Sequence, residues 1–197
     1  RYRTLLRTKR FYNDTELVTL FKAHVLSYVE YRTPGIYHAA TSVLDPVDRV
    51  LSSFLRQICV SETEALTNFA LASLSARRDM AMLGVIHRAL LGQGPKQLRA
   101  FFRYSEVDLR RSSRIAKHNR QIDCEFGARP LDMVKRSAFG LCRVYNLLPH
   151  DIVESRSVSV FQSRLQDLLR SRMLDGQRGW QQLFSPRWAV QDHPLSK

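Results

Sequence analysis

Six histidines and three cysteines are the residues of this 197-residue chain best suited to metal or nucleophilic chemistry. His24, His38, His87, His118, His150 and His193 are isolated, and none has a second ligand at metal-binding spacing. His24 and His87 fall on or near helical core stripes, where a packed, hydrogen-bonded imidazole is the expected role. Cys59, Cys124 and Cys142 lie far apart and are odd in number. Neither a disulfide framework nor a zinc knuckle follows from them, and they read as reduced thiols of an intracellular protein. Gly92-Gln93-Gly94 lacks the further glycine, the lysine and the strand context of a phosphate loop, so it reads as a helix stop. No serine lies in a nucleophile elbow. Asp45 and Asp48 could pass for paired metal carboxylates, but capping and the helix dipole explain them in a first turn. Nothing here would activate water or bind the two magnesium ions of polymerisation. By itself the chain is expected to be no enzyme and to carry no cofactor.

The arginines and lysines point elsewhere. They number 31 against 18 acids, for a net charge of +13 and a pI near 10.3. A balance this basic favours nucleic acid or another polyanion, with an ordinary basic surface as the bland reading. Residues 1–60 carry nine basic and five acidic side chains, 61–104 six and three, 105–140 eight and five, and 141–197 eight and five. The excess is therefore spread along the chain and is not one basic tail. Two clusters nonetheless stand out. Arg3, Arg7, Lys9 and Arg10 surround Leu5 and Leu6, a spacing that suits a phosphate backbone or the solvated face of a helix. Arg110, Arg111, Arg114, Lys117 and Arg120 lie in a stretch without acids, either a nucleic-acid contact or a solvated linker.

The elements that must carry these residues are helical. Asn13 with Glu16 forms a capping box, followed by a stripe of Leu17, Leu20, Phe21, His24, Val25 and Tyr28. Thr33-Pro34-Gly35 is expected to end that helix. Asp45-Pro46 reads as the next start, with Val47, Val50, Leu51, Phe54, Leu55 and Ile58 inward. Ser61 with Glu64 starts a shorter helix, and Ser73 or Ser75 a longer one with Met80, Leu83, Ile86, Leu90 and Leu91 inward. Leu98, Phe101 and Phe102 add a turn or two. Near the end, Ser137 to Leu169 reads as two apolar segments joined at Asn146-Leu147-Leu148-Pro149. Ser157 caps the second segment, where Val158, Phe161, Leu165, Leu168 and Leu169 recur at helical spacing.

The expected fold is thus mainly α, a helical bundle with a basic irregular connector and a carboxy-terminal docking helix. The boundaries run 1–104 for the bundle, 105–130 for the connector with room for a short hairpin, and 131–175 for hinge and docking helix. Residues 176–197 read as a loosely ordered tail. Residues 65–76, though uncharged, are too short and too polar to span a bilayer, so no membrane partner is expected. The chain begins at Arg1 and reads as a piece of a longer protein.

Four segments in order carry a resemblance. Arg3-Thr-Leu-Leu-Arg-Thr-Lys-Arg-Phe11 with Leu17-Val-Thr-Leu-Phe-Lys-Ala-His-Val-Leu-Ser-Tyr-Val-Glu-Tyr31 is the first. Leu44-Asp-Pro-Val-Asp-Arg-Val-Leu-Ser-Ser-Phe-Leu-Arg-Gln-Ile58 and Leu74-Ser-Ala-Arg-Arg78 follow. The last runs from Val144-Tyr-Asn-Leu-Leu-Pro149 through Ser157-Val-Ser-Val-Phe161 to Leu165. Together they resemble the region downstream of the palm in non-LTR (LINE-type) retrotransposon reverse transcriptases. Tyr145 stands where that family prefers tryptophan and Asp48 where it commonly has glutamine, and the paired-aspartate polymerase motif is absent. The resemblance implies a thumb-proximal, carboxy-terminal region of an RNA-directed DNA polymerase, intracellular and nuclear, that helps hold RNA and DNA backbones. It implies an amino-terminal polymerase domain as partner, with magnesium confined to its palm. The competing reading is a basic helical protein-interaction module. The hinge is expected to be anchored by Tyr145, with Phe161, Leu165 and Leu168 packing on the amino-terminal helices.

Overall fold

The computed structural model describes residues 2–105, 117–123, 132–189 and 192–196. Among them the chain is mainly α-helical, with one isolated bridge between Tyr104 and Ile122. It divides into two compact units, Arg1–Arg78 and Asp79–Lys197. The division falls inside a continuous helix, Leu74–Leu90, and not at position 104. Glycines and prolines mark where a helix stops, but packing decides where a unit stops.

The first unit contains α1 (Tyr2–Arg7), a 3₁₀ turn (Lys9–Phe11), α2 (Asp14–Phe21), a π turn (Lys22–Leu26) and α3 (Ser27–Tyr31). It continues with α4 (Thr33–Ile36), α5 (Thr41–Gln57) and α6 (Glu62–Phe69). The capping boxes of Asn13 with Glu16 and Ser61 with Glu64 both form, each with reciprocal hydrogen bonds of 2.8–3.1 Å. The core joins Leu17, Val18, Phe21, Val25, Leu26, Leu51, Phe54 and Leu55, with the Phe21 and Phe54 rings stacked 4.2 Å apart. Leu5 and Leu6 pack half-buried against it, while Phe11 stays 68% exposed.

Two expectations for this unit are corrected. First, α5 starts at Thr41, so Pro46 sits inside it, and Asp48 lies beyond the first turn. There Asp48 accepts both arms of the Arg78 guanidinium, one at 2.8 Å. A proline this near the amino terminus forfeits one ladder bond, and the apolar face from Leu44 onward compensates. Second, the stripe through His24 and Tyr28 is not the buried one. Each turn of regular helix advances 3.6 residues, whereas the π turn adds one residue, marked by the Ser27 N–H donating to the Lys22 carbonyl. Everything after it is rotated by roughly 100°. Val25 and Leu26 face the core, Val29 packs partly against it, and His24 and Tyr28 face solvent.

The second unit begins within α7 (Leu74–Leu90), at Asp79, and continues with α8 (Lys96–Phe101), α9 (Asp132–Lys135) and α10 (Ala138–Asn146). Then come α11 (His150–Val153), α12 (Val158–Leu174) and 3₁₀ turns at Trp180–Gln182 and Pro194–Ser196. Ser73, Ser137 and Ser157 cap α7, α10 and α12. Gly92 does end α7: it holds φ +74, its N–H donates to the Ala89 carbonyl, and Gln93 N–H donates to the Arg88 carbonyl. Gly84 faces α12, where a Cβ would meet the movable Gln162 amide at 2.5 Å and a Val158 methyl at 3.3 Å. On α12, Phe161, Leu165, Leu169 and Met173 are buried, while Leu168, expected inward, is half-exposed. Within the segment expected to be a loose tail, the described Trp180, Leu183, Phe184 and Leu195 are buried. Sparse turn-rich sequence hid a set of large apolar anchors.

Candidate nucleic-acid interface and the buried hinge

The two basic clusters meet different fates. Arg3 and Arg7 lie four residues apart on α1, on one side of it, and both are exposed. Lys9 and Arg10 follow on the 3₁₀ turn, also exposed. Lys9 Nζ donates to the Gln57 carbonyl at 3.3 Å, and the Arg10 guanidinium sits 4.7 Å above the Phe11 ring. Leu5 and Leu6 anchor α1 to the core while these cations face outward. Of the second cluster, Arg110, Arg111 and Arg114 lie outside the described residues. Lys117 and Arg120 are described, and both are turned onto main-chain carbonyls. Lys117 Nζ donates to Leu195, and an Arg120 arm donates to Val153 at 3.1 Å. In the described structure they act first as staples of the second unit.

What they staple is a polar knot at the hinge. Tyr145 is fully buried on α10, with Phe161 of α12 at 5.9 Å between ring centroids. Phe161 stacks on His87 of α7 at 4.1 Å with planes 6° apart. His87 Nε2 lies 2.9 Å from the Ser155 carbonyl, which can only accept, so that nitrogen carries the proton. Its Nδ1 is then the acceptor for the Tyr145 hydroxyl, at 2.9 Å. His118 is fixed in the same way. Its Nδ1 accepts from the Arg120 N–H at 3.1 Å, so Nε2 donates to the Tyr145 carbonyl at 3.1 Å. Asn146 completes the knot by treating Ile122 as a strand partner: its amide accepts from the Ile122 N–H at 2.8 Å and donates to the Ile122 carbonyl at 2.9 Å. The Tyr104–Ile122 bridge, with Ser105 N–H to Gln121 at 2.8 Å and Asp123 N–H to Arg103 at 3.1 Å, is fastened beside it.

The electrostatics disfavour the charged form of both imidazoles. Burial lowers the pKa of His87 and His118, and the nearby Arg120 cation lowers both further, against opposing hydrogen bonds to Ser155 and Tyr145 carbonyls. Burial likewise raises the Tyr145 phenol well above its usual range. Every polar atom of both rings is committed inside the protein, so neither can take a proton from a ligand without unmaking the hinge. The arrangement braces structure. The packed role expected of His87 is observed; His24, by contrast, is exposed, because of the π turn. The sequence offered one signal for His118, namely its place before Ile122 in an otherwise basic run, and that is too weak to have found it.

Among the described residues no three histidine, cysteine or carboxylate side chains gather as a metal site requires. Among them also, no helix is long and apolar enough to cross a membrane. No family model, no curated protein and no solved structure matches the chain. The resemblance to LINE-type reverse transcriptases therefore rests on the four quoted segments and their order.

Proposed function

We propose that the chain is a non-catalytic, post-palm region of a LINE-type reverse transcriptase that grips the phosphate backbone of RNA and target DNA. The observation that carries this reading is the amino-terminal edge. Five cations, Arg1, Arg3, Arg7, Lys9 and Arg10, precede the first acid, Asp14, and the four described ones are exposed. Apolar side chains of α1 hold that edge on a packed core, as a backbone contact requires. Such contacts position a strand without reading its sequence. The hinge, whose polar groups hydrogen-bond one another, gives this reading a braced scaffold. In the parent polypeptide the palm supplies the polymerase chemistry and its magnesium.

Titrating the chain with RNA at two salt concentrations tests this. Affinity should fall steeply with salt, and replacing Arg3, Arg7 and Arg10 with alanine should flatten the log–log slope by about 0.7–0.9 per lost contact. Affinity indifferent to salt would sink the proposal. The second reading, a protein-interaction module, is favoured by the 68% exposure of Phe11 beside Arg10. Under it, charge reversal at Arg110, Arg111 and Arg114 leaves partner binding intact, and RNA binding is undetectable from the start.

A further inference from the structure

The π turn does more than shift the core stripe; it presents an aromatic face. Tyr28, Tyr31 and Arg32 stand at positions i, i+3 and i+4, on one side of the last turn of α3. Tyr31 is 88% exposed and Tyr28 45% exposed, with the Arg32 guanidinium 4.6 Å above the Tyr28 ring. Leu26 at the end of the π turn and Val29 of α3 face the core, so the large side chains this segment leaves outside are two flat rings and a cation. The one carboxylate of the turn, Glu30, is ion-paired to Arg77. A regular helix would have put Tyr28 in the core. The extra residue spends helical regularity on leaving it outside, and π turns of this kind recur at functional sites.

We infer that this face is a stacking platform for the unpaired bases of single-stranded nucleic acid, with Tyr31 as the ring on which a base lies. This rests on the nucleic-acid reading above and deepens it, adding base stacking to backbone contact. Every base has a π face, so the platform needs no sequence preference. The net charge of +13 and the Arg32 cation suit a polyanion. Exposed tyrosines and arginines also anchor protein interfaces, and it is the excess of cations over acids that favours a polyanion here.

The test uses the full chain, a labelled oligouridine of about 12 nucleotides and a duplex RNA of the same length. Tyr31→Ala should weaken oligouridine binding about 5–150-fold, the range for loss of one stacked base, while Tyr31→Phe retains affinity. The salt dependence should stay unchanged in both variants, because stacking releases no counterions. Duplex binding should not move, since paired bases cannot stack on a side chain. Tyr31 is so exposed that alanine there leaves folding intact, which a circular-dichroism melt verifies. Oligouridine binding equal to the parent's, with the salt response intact, overturns the platform, leaves backbone contact standing and frees the face for a protein. A parent chain that binds neither RNA at low salt overturns the nucleic-acid reading and the platform together.

Discussion

Replacing Tyr145 with phenylalanine isolates the hinge's polar term from its packing. The ring remains, fully buried between Phe161 and His118, and only the hydroxyl is lost. His87 Nδ1 then faces no donor at 0% exposure. Switching tautomer does not help, because a proton moved to Nδ1 leaves the Nε2 lone pair against the Ser155 carbonyl. One unsatisfied buried nitrogen is unavoidable, and such a group costs about 1–3 kcal/mol. With a urea dependence of about 2 kcal/mol per molar, the unfolding midpoint should drop by roughly 0.5–1.5 M. The chain's two tryptophans, Trp180 and Trp188, both lie in the second unit, so tryptophan fluorescence reads that unit alone. In a His87→Leu background the same Tyr145→Phe change should cost nothing or stabilise, giving a coupling of at least about 1 kcal/mol. An unfolding free energy for Tyr145→Phe within about 0.5 kcal/mol of the parent's, or additive double-mutant costs, refutes the tautomer and hydrogen-bond assignment.

Other expectations are simpler. Phe161→Ala empties a site at 0% exposure and removes the ring stacked on His87, so it should cost about 3–5 kcal/mol; an unchanged melting temperature would contradict the packing. The second unit should weaken in acid. His87 and His118 have folded pKa values below the ordinary 6.5, so the unfolded chain protonates first. Their contribution is complete above about pH 6.5 and is lost as pH falls below it, by up to about 1.4 kcal/mol per pH unit for each ring, until the folded values are reached. A urea midpoint flat between about pH 7 and pH 5 would speak against it. Cys59 holds φ +55 in the glycine position of the motif that ends α5, with Cys59 N–H to Arg56 at 3.3 Å and Val60 N–H to Leu55 at 3.1 Å. Cys59→Gly should therefore stabilise the first unit by up to about 1 kcal/mol in a thermal melt, and a lower melting temperature would disprove the strain.

Local chemistry was the most legible part of this sequence. A capping box such as Asn13 with Glu16 is complete within four residues, and Gly92 marks a left-handed stop wherever it is embedded. Periodicity was legible only while the period held. Nothing local distinguishes the π turn at Lys22–Leu26 from regular helix, since both phases have apolar residues to offer and only Phe54 and its neighbours choose between them. Pro46 misled for a related reason: a proline suits a first turn, but packing of Leu44 extends α5 past it. Arg3, Arg7, Lys9 and Arg10 are exposed, as charged side chains flanking the half-buried Leu5 and Leu6 are expected to be. Lys117 and Arg120 are not free-standing cations, because their partners, the carbonyls of Leu195 and Val153, are distant in the chain and every residue has one.

The hinge also contains a clock. The Tyr145 hydroxyl, the His87 Nε2 proton and the His118 Nε2 proton are each buried and each directed at an acceptor inside the protein. None can trade with solvent while the second unit stays closed, so their exchange rates measure how often that region opens. Such protons ordinarily vanish from solution spectra; here they should persist as resolved resonances. A ligand that orders the hinge would slow all three in step, whether or not it touches them, which makes the unit its own reporter of binding.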